Sequence, residues 1–167
     1  MVEYQYTTDT GLAETFMRLF SILTKDLTEE KVGDYGGPNK VMAITEAHVL
    51  FCLVWSVGAT VNDASRIKFD EFVRTTLAEC KQFKIKALYP KRGTVYDHLY
   101  DINTQGWKHW KELLSADDMK IEPKAKFQDI LVPTNDVARY SFLLDKYLMN
   151  NIPSLFVGPL HAREREV

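Results

Sequence analysis

The sequence predicts a mainly α-helical protein with a minor α+β part. Three observations carry that expectation. Apolar residues recur at helical spacing in three successive stretches of the first half. After residue 87 that spacing gives way to turn residues and β-branched or aromatic runs. Near the C-terminus a capped helix precedes a short apolar run. Of 167 residues, 46% are hydrophobic and 26% charged, a globular composition with enough apolar material for a core.

The first helix is expected over residues 12–23, with Thr10 as N-cap because its hydroxyl can accept an unpaired first-turn amide. Leu12, Phe16, Leu19, Phe20 and Leu23 form its stripe. Residues 24–40 are polar, and Gly33, Gly36, Gly37 and Pro38 break any regular element there. The second helix runs from 45 or 46 to 57, stopped by Gly58. Val49, Leu50, Phe51, Leu53, Val54, Trp55 and Val57 cover most of its circumference, so it must lie between other elements. Its longest apolar stretch, 49–57, is too short to span a bilayer. Asn62, Asp63 and Ser65 mark a turn or cap before a third helix over 66–83, with Ile67, Phe69, Phe72, Val73 and Leu77 as its apolar positions and charges between them. Three such helices in succession read as a small bundle.

Tyr89-Pro90-Lys91-Arg92-Gly93 is turn chemistry, and 94–100 reads as a short strand or hairpin arm. Trp107 and Trp110, three apart, are placed on one helix face packed into a local core. Residues 115–126 read as a polar loop and 127–132 as a second short strand. Thr134 or Asn135 caps a helix over 136–149, with Asp136 suited to the positive end of its dipole. Val137, Tyr140, Leu144 and Tyr147 or Leu148 line it, and Asn150, Asn151 and Pro153 end it. Ser154-Leu155-Phe156-Val157 then looks like a buried parallel strand running into Gly158. The charged residues 160–167 are expected to be poorly ordered.

The net charge of −2 offers no basic field for nucleic acid or anionic lipid. Residues 1–10 carry no apolar signal region, and Cys52 and Cys80 form neither a disulfide framework nor a zinc pattern, which points to a reducing, intracellular compartment. His48, His98, His109 and His161 show no paired metal spacing; His98 and His109 are read as lying on different elements. Lys81, Lys84, Lys86, Lys91 and Arg92 read as a solvated helix end and turn. Asp117 and Asp118 read as part of a solvated loop, and Arg139 as a surface arginine near the start of its helix. No Ser-His-Asp or Cys-His arrangement is readable.

A strand ending in glycine is where a phosphate-binding loop would start, and such a loop needs Gly, Lys and Ser or Thr at fixed offsets. Counted from Gly158, those places hold Arg163, Glu164 and Arg165. Glu164 sets a negative charge where the phosphates need a positive one.

Phe127-Gln128-Asp129-Ile130-Leu131-Val132-Pro133-Thr134-Asn135-Asp136-Val137-Ala138-Arg139-Tyr140-Ser141-Phe142-Leu143-Leu144 resembles the segment that opens an AAA+ module of a dynein heavy chain. Asn151-Ile152-Pro153-Ser154-Leu155-Phe156-Val157-Gly158-Pro159 resembles the strand entering its Walker A loop. Leu50-Phe51-Cys52-Leu53-Val54-Trp55-Ser56-Val57-Gly58 and Arg66-Ile67-Lys68-Phe69-Asp70-Glu71-Phe72 resemble the helical lid closing the preceding module. Gly93-Thr94-Val95-Tyr96-Asp97 and Trp107-Lys108-His109-Trp110 resemble the connector between them. The order is similar to the junction of the second and third modules of an axonemal heavy chain. The resemblance implies a helical AAA+ lid bundle over 1–86, a connector with a short β-hairpin over 87–126, the first helix and strand of an incomplete α/β AAA+ domain over 127–159, and a divergent tail over 160–167.

It also implies nucleotide-site positions at Val132, Pro133, Thr134, Gly158 and Pro159. Where the family continues Thr-Gly-Thr-Gly-Lys, this sequence reads Leu160-His161-Ala162-Arg163-Glu164, as a truncated product would. The full-length family binds ATP and Mg and drives minus-end-directed movement on microtubules. Its partners are the rest of the ring, intermediate and light chains, and microtubules, in the cytoplasmic cytoskeleton or the ciliary axoneme. For this chain no cofactor, nucleic acid or membrane is expected, and its role is that of a structural inter-module segment without ATPase machinery. The alternative is a stand-alone helical interaction module; an independent ATP-binding protein is disfavoured by Arg163, Glu164 and Arg165.

Overall fold

The structure, a computed structural model, describes residues 1–4, 6–80, 84–114 and 134–155. Helix α1 spans Asp9–Thr24. It starts earlier than the expected Thr10 cap, because Thr8 lies extended and its hydroxyl accepts the Gly11 amide, leaving Asp9 in the first turn. A 3-10 turn, Glu29–Lys31, occupies the polar stretch that follows.

Helix α2, Pro38–Ser56, is seven residues or more longer at its start than the sequence spacing implies. Pro38 opens this helix, since a first-turn residue needs no amide hydrogen, while Gly36 and Gly37 turn the chain at φ 87° and 99°. Its extension makes 38–60 long and apolar enough to cross a membrane, with a mean hydropathy of 1.7, which corrects the shorter span read from the sequence. Over half of that stretch is buried within the protein, as expected of a central core helix. Gly58 follows α2 for a packing reason. A Cβ there would stand 2.5 Å from Phe69 Cε1 and 2.8 Å from the Tyr96 hydroxyl, which donates to the Gly58 carbonyl at 2.8 Å.

Helix α3, Asp63–Glu79, is capped by the Asn62 side chain accepting the Ser65 amide. The N-terminal residues are fastened beside this cap. Tyr4 donates to the Thr60 carbonyl, Asn62 to the Val2 carbonyl, and the Val2 amide to Ser65 Oγ.

Strands β1 (His98–Asp101) and β2 (Gly106–His109) form an antiparallel hairpin. The expected strand over 94–100 begins only at His98, because Thr94 and Asp97 close a capping box around a 3-10 turn at Val95–Asp97. Trp107 and Trp110 do not share a helix. Trp107 sits on β2, and Trp110 opens a 3-10 turn, Trp110–Leu113. The hairpin loop is closed by the Asp101 carboxylate, which accepts from the Asn103 amide and the Thr104 hydroxyl, and by Gln105 at φ 52°.

Helix α4, Asn135–Met149, has Thr134 as N-cap, its hydroxyl accepting the Val137 amide, and Asn151 at φ 56° just past its end. Ser154 and Leu155 carry no strand pairing, and Phe156, Val157, the 127–132 strand and the 115–126 loop lie outside the described residues.

Packing converges on α2. Leu50, Phe51, Cys52, Val54 and Trp55 meet Leu19 of α1, Phe69 and Val73 of α3, Tyr89, Val95, Tyr96 and Trp110 of the connector, and Leu143 of α4. The fold is thus mainly helical with one small antiparallel sheet.

Candidate functional site

Of the five expected nucleotide-site positions, Thr134 is described, and the α4 N-terminus it caps stands against the helical bundle. Val132, Pro133, Gly158 and Pro159 lie outside the described residues. The site that takes shape is the joint between α4 and the bundle.

Aromatic rings make its floor. Trp55 of α2 lies edge-on to Tyr140 of α4 at 6.2 Å and to Tyr96 at 6.0 Å. Phe142 of α4 meets Phe51 at 6.1 Å and Trp110 at 5.6 Å. Trp110 is fully buried, and its indole N–H donates to the Tyr96 carbonyl at 2.8 Å. Edge-on ring pairs add about 0.5–1.5 kcal/mol each beyond the area they bury, so this contact between α4 and the bundle is a strong one.

Two guanidinium groups cross above the rings. Arg66, at the start of α3, donates to the Tyr140 hydroxyl at 3.4 Å, lies 3.8 Å from Asp63 and covers the Tyr96 ring at 5.3 Å. Arg139 pairs with Asp136 one turn back and lies over the Tyr140 ring at 5.4 Å. The expected surface position of Arg139 is corrected: its side chain is only 14% exposed, because α4 lies down on the bundle there. Burial first, and then the nearby Arg66 charge, pull its pKa below the ordinary arginine value, against the favourable fields of Tyr140 and Asp97. The arrangement is a charged, aromatic contact holding one helix on another.

A second clasp escapes sequence reading. Arg74 of α3 is paired with Asp70 at 3.0 Å and donates to the Pro90 and Gly93 carbonyls at 2.8 and 2.9 Å. Asp70 also accepts the Val95 amide at 2.7 Å. The legible signal was an acid–arginine pair at i,i+4 on one helix face; the loop carbonyls it reaches are set by tertiary packing.

The histidines need correction too. His98 and His109 are direct partners across the hairpin, ring centroids 5.8 Å apart. They seemed separated because the second strand was read as helix. Buried His48 is held well below the usual histidine pKa, to about 4, mainly by burial and secondarily by the Lys146 charge. Burial pushes the Cys52 thiol up to about 12, so it packs as an apolar group. Lys84, Lys86, Lys91 and Arg92 are exposed, as a solvated turn requires, while Lys81, Asp117, Asp118 and His161 lie outside the described residues.

Comparison with known proteins agrees with this geometry. Residues 1–112 match the family described as dynein heavy chain AAA lid domain, and residues 119–161 match that described as P-loop containing dynein motor region. The chain is 36% identical over 129 residues, 72% of its length, to dynein axonemal heavy chain 12 of Mus musculus. It is 34% identical over 168 aligned positions, 92% of its length, to dynein axonemal heavy chain 3 of the same species. It is 30% identical over 86% of its length to dynein axonemal heavy chain 2 of Homo sapiens. It spans about 3–4% of the length of these relatives. With lid helices, hairpin and capped α4 in the order the two matched families follow one another, the chain belongs to the dynein heavy chain family.

Proposed function

We propose that this chain is the inter-module segment of an axonemal-type heavy chain, at the junction of the second and third AAA+ modules. Its work there is mechanical. It seats the first helix of one module on the lid of the module before, so that a nucleotide-driven tilt of the lid moves its neighbour. The observation that carries this reading is the shared aromatic core. Tyr140 and Phe142 of α4 enter the same ring cluster as Trp55 and Phe51 of α2 and Trp110 of the connector. Interiors packed in this way transmit displacement rather than absorb it. The exposed α4 residues Leu148 and Met149, with Leu155 beyond them, fit a face on which the rest of the next module would pack in the full-length protein.

The same reading gives the chain no hydrolytic role. Gripping a triphosphate needs a glycine-rich backbone nest and a lysine, and Arg163, Glu164 and Arg165 hold those places. ATP, Mg, microtubules, and the intermediate and light chains belong to the whole heavy chain, in the axonemal cytoskeleton.

Two measurements test the proposal. Hydrogen exchange across α2 and α4 should show both helices opening together, and Phe142→Ala should loosen both. Independent opening of α4 would refute the mechanical role. Titration with a fluorescent ATP analogue and Mg should give no saturable binding; micromolar binding abolished by Gly158→Val would refute the absence of a phosphate cradle.

A further inference from the structure

The pair at the base of the hairpin has unused chemistry. His98 and His109 are directly opposed, and opposed side chains project from the same face. The His98 ring is anchored by its Nδ1, 2.9 Å from the Thr94 carbonyl. A carbonyl only accepts, so Nδ1 carries the proton and Nε2 keeps its lone pair. A carbonyl on one nitrogen with the other left open is how metal-ligating histidines are held. His109 is anchored too, its Nδ1 accepting the Lys111 amide at 3.1 Å. Neither Nε2 has a hydrogen-bond partner among the described residues.

The spacing suits a shared ion. With metal–nitrogen bonds of about 2.0–2.1 Å, two imidazoles whose Nε2 atoms both turn to one ion at a tetrahedral angle would place their centroids about 5.2 Å apart. The observed 5.8 Å needs a closing of a few tenths of an ångström. The surrounding charge is mixed. The Asp97 carboxylate and the His98 Cε1 edge both lie against Gly93, whose added Cβ would meet them at 3.1 and 3.4 Å, so a fixed negative charge stands beside the pair. Arg74 and Arg139 oppose a cation from α3 and α4.

We propose that His98 and His109 form a two-imidazole site for a borderline divalent transition metal such as Zn2+. Among the described residues no third His, Cys, Asp or Glu completes a three-donor set, so water or an outside ligand fills the remaining positions. Imidazole nitrogens select Zn2+, Cu2+ or Ni2+ over the hard cations Mg2+ and Ca2+, which prefer oxygen. Ligation through Nε2 requires His109 to move its proton to Nδ1 and release the Lys111 amide. That release is a fingerprint specific to this pair.

The test uses the full chain and Zn2+ alone. In nitrogen-resolved histidine spectra, Zn2+ should shift Nε2 of His98 and His109 together, and the Lys111 amide should move with them. The melting temperature should rise with Zn2+ concentration, as linkage requires, and Mg2+ should produce neither effect. His109→Gln, at a half-buried position, should remove the Zn2+-dependent rise while keeping the metal-free melt cooperative. The proposal is overturned if Zn2+ leaves either ring unshifted, if His109→Gln keeps the full rise, or if Mg2+ acts equally. The spectra of the unmodified chain decide the matter even where a variant folds poorly.

Discussion

Replacing Arg74 with methionine should cost about 2–3 kcal/mol. Arg74 and Asp70 side chains are only 26% and 18% exposed, so solvent does not fully screen their pairing. The guanidinium joins α3 to the segment entering the hairpin through the carboxylate at 3.0 Å and two carbonyls at 2.8 and 2.9 Å. Hydrogen bonds to charged groups are worth about 1.5–3 kcal/mol each, but the three act as one unit and Gly93 is exposed, so their sum overstates the loss. Methionine keeps the aliphatic packing and removes only the fork. At about 2–4 °C per kcal/mol for a chain of this size, the melting temperature should fall by about 4–12 °C. Calorimetry of the wild type, Arg74→Met and Arg74→Lys measures it. Lysine, a single point charge, can reach one acceptor at a time and should recover less than half of the loss. An Arg74→Lys protein as stable as wild type would show that the planar fork, and hence the three-way clasp, is not what holds the loop.

Gly58→Ala should destabilise by about 1–3 kcal/mol, because Phe69 and Tyr96 block the added carbon, and a denaturant melt with unchanged slope would show it. Trp110→Phe should cost about 1–3 kcal/mol through the Tyr96 carbonyl it leaves unpaired, with protection lost first where α4 meets the connector in hydrogen exchange. Stability should depend on pH through His48. Its pKa is lowered from 6.5 to about 4, so its contribution is whole above pH 6.5 and is lost as pH falls toward 4, where the unfolded chain binds a proton the folded one excludes. At 1.36 kcal/mol per tenfold change in proton affinity the loss is about 3 kcal/mol, and a His48→Gln protein should show a flatter melting profile over that window. The lowered pKa of His98 acts in the same direction and should leave a residual slope.

Helix existence was legible wherever one apolar stripe faced one core. The stripe of α1 is of that kind, and the Asn62 and Thr134 caps were legible too. The faces of α3 and α4 were read less well: Ile67 and Phe72 stand 70% and 56% exposed, and α4 buries Leu143 while Leu144 and Leu148 face outward. What escaped was set by distance in sequence. The start of α2 lies in a stretch dense with glycine, and only the Pro38 position, opening the helix rather than breaking it, makes that stretch consistent. The second strand was hidden because Trp107 and Trp110 satisfy a helical spacing. The Asp101–Gly106 turn, with Asp, Asn and Gly in reach, held the evidence against it. Once the hairpin is placed, His98 faces His109 as a consequence.

Arg66 and Arg139 show why a joint is harder to read than a helix. Each has an acidic residue three positions away, so each looks locally satisfied and solvated. Neither sequence neighbourhood says that both charges will be buried over tyrosine rings contributed by the connector and by α4. That placement follows only when α4 is packed on α2, and the packing costs desolvation of two like charges, which the Tyr96 and Tyr140 rings and the Asp63 and Asp136 carboxylates offset. A joint built from such opposed terms has a narrow range of low-energy geometries. Truncating Tyr140 to alanine should therefore do more than remove a ring: it should leave two partly buried guanidiniums facing each other, and α4 should separate from the lid before the lid itself melts. A single cooperative transition in the Tyr140→Ala protein, with α4 still protected, would show that the Phe142 contacts with Phe51 and Trp110 suffice to hold the helix and that the paired arginines are incidental to it.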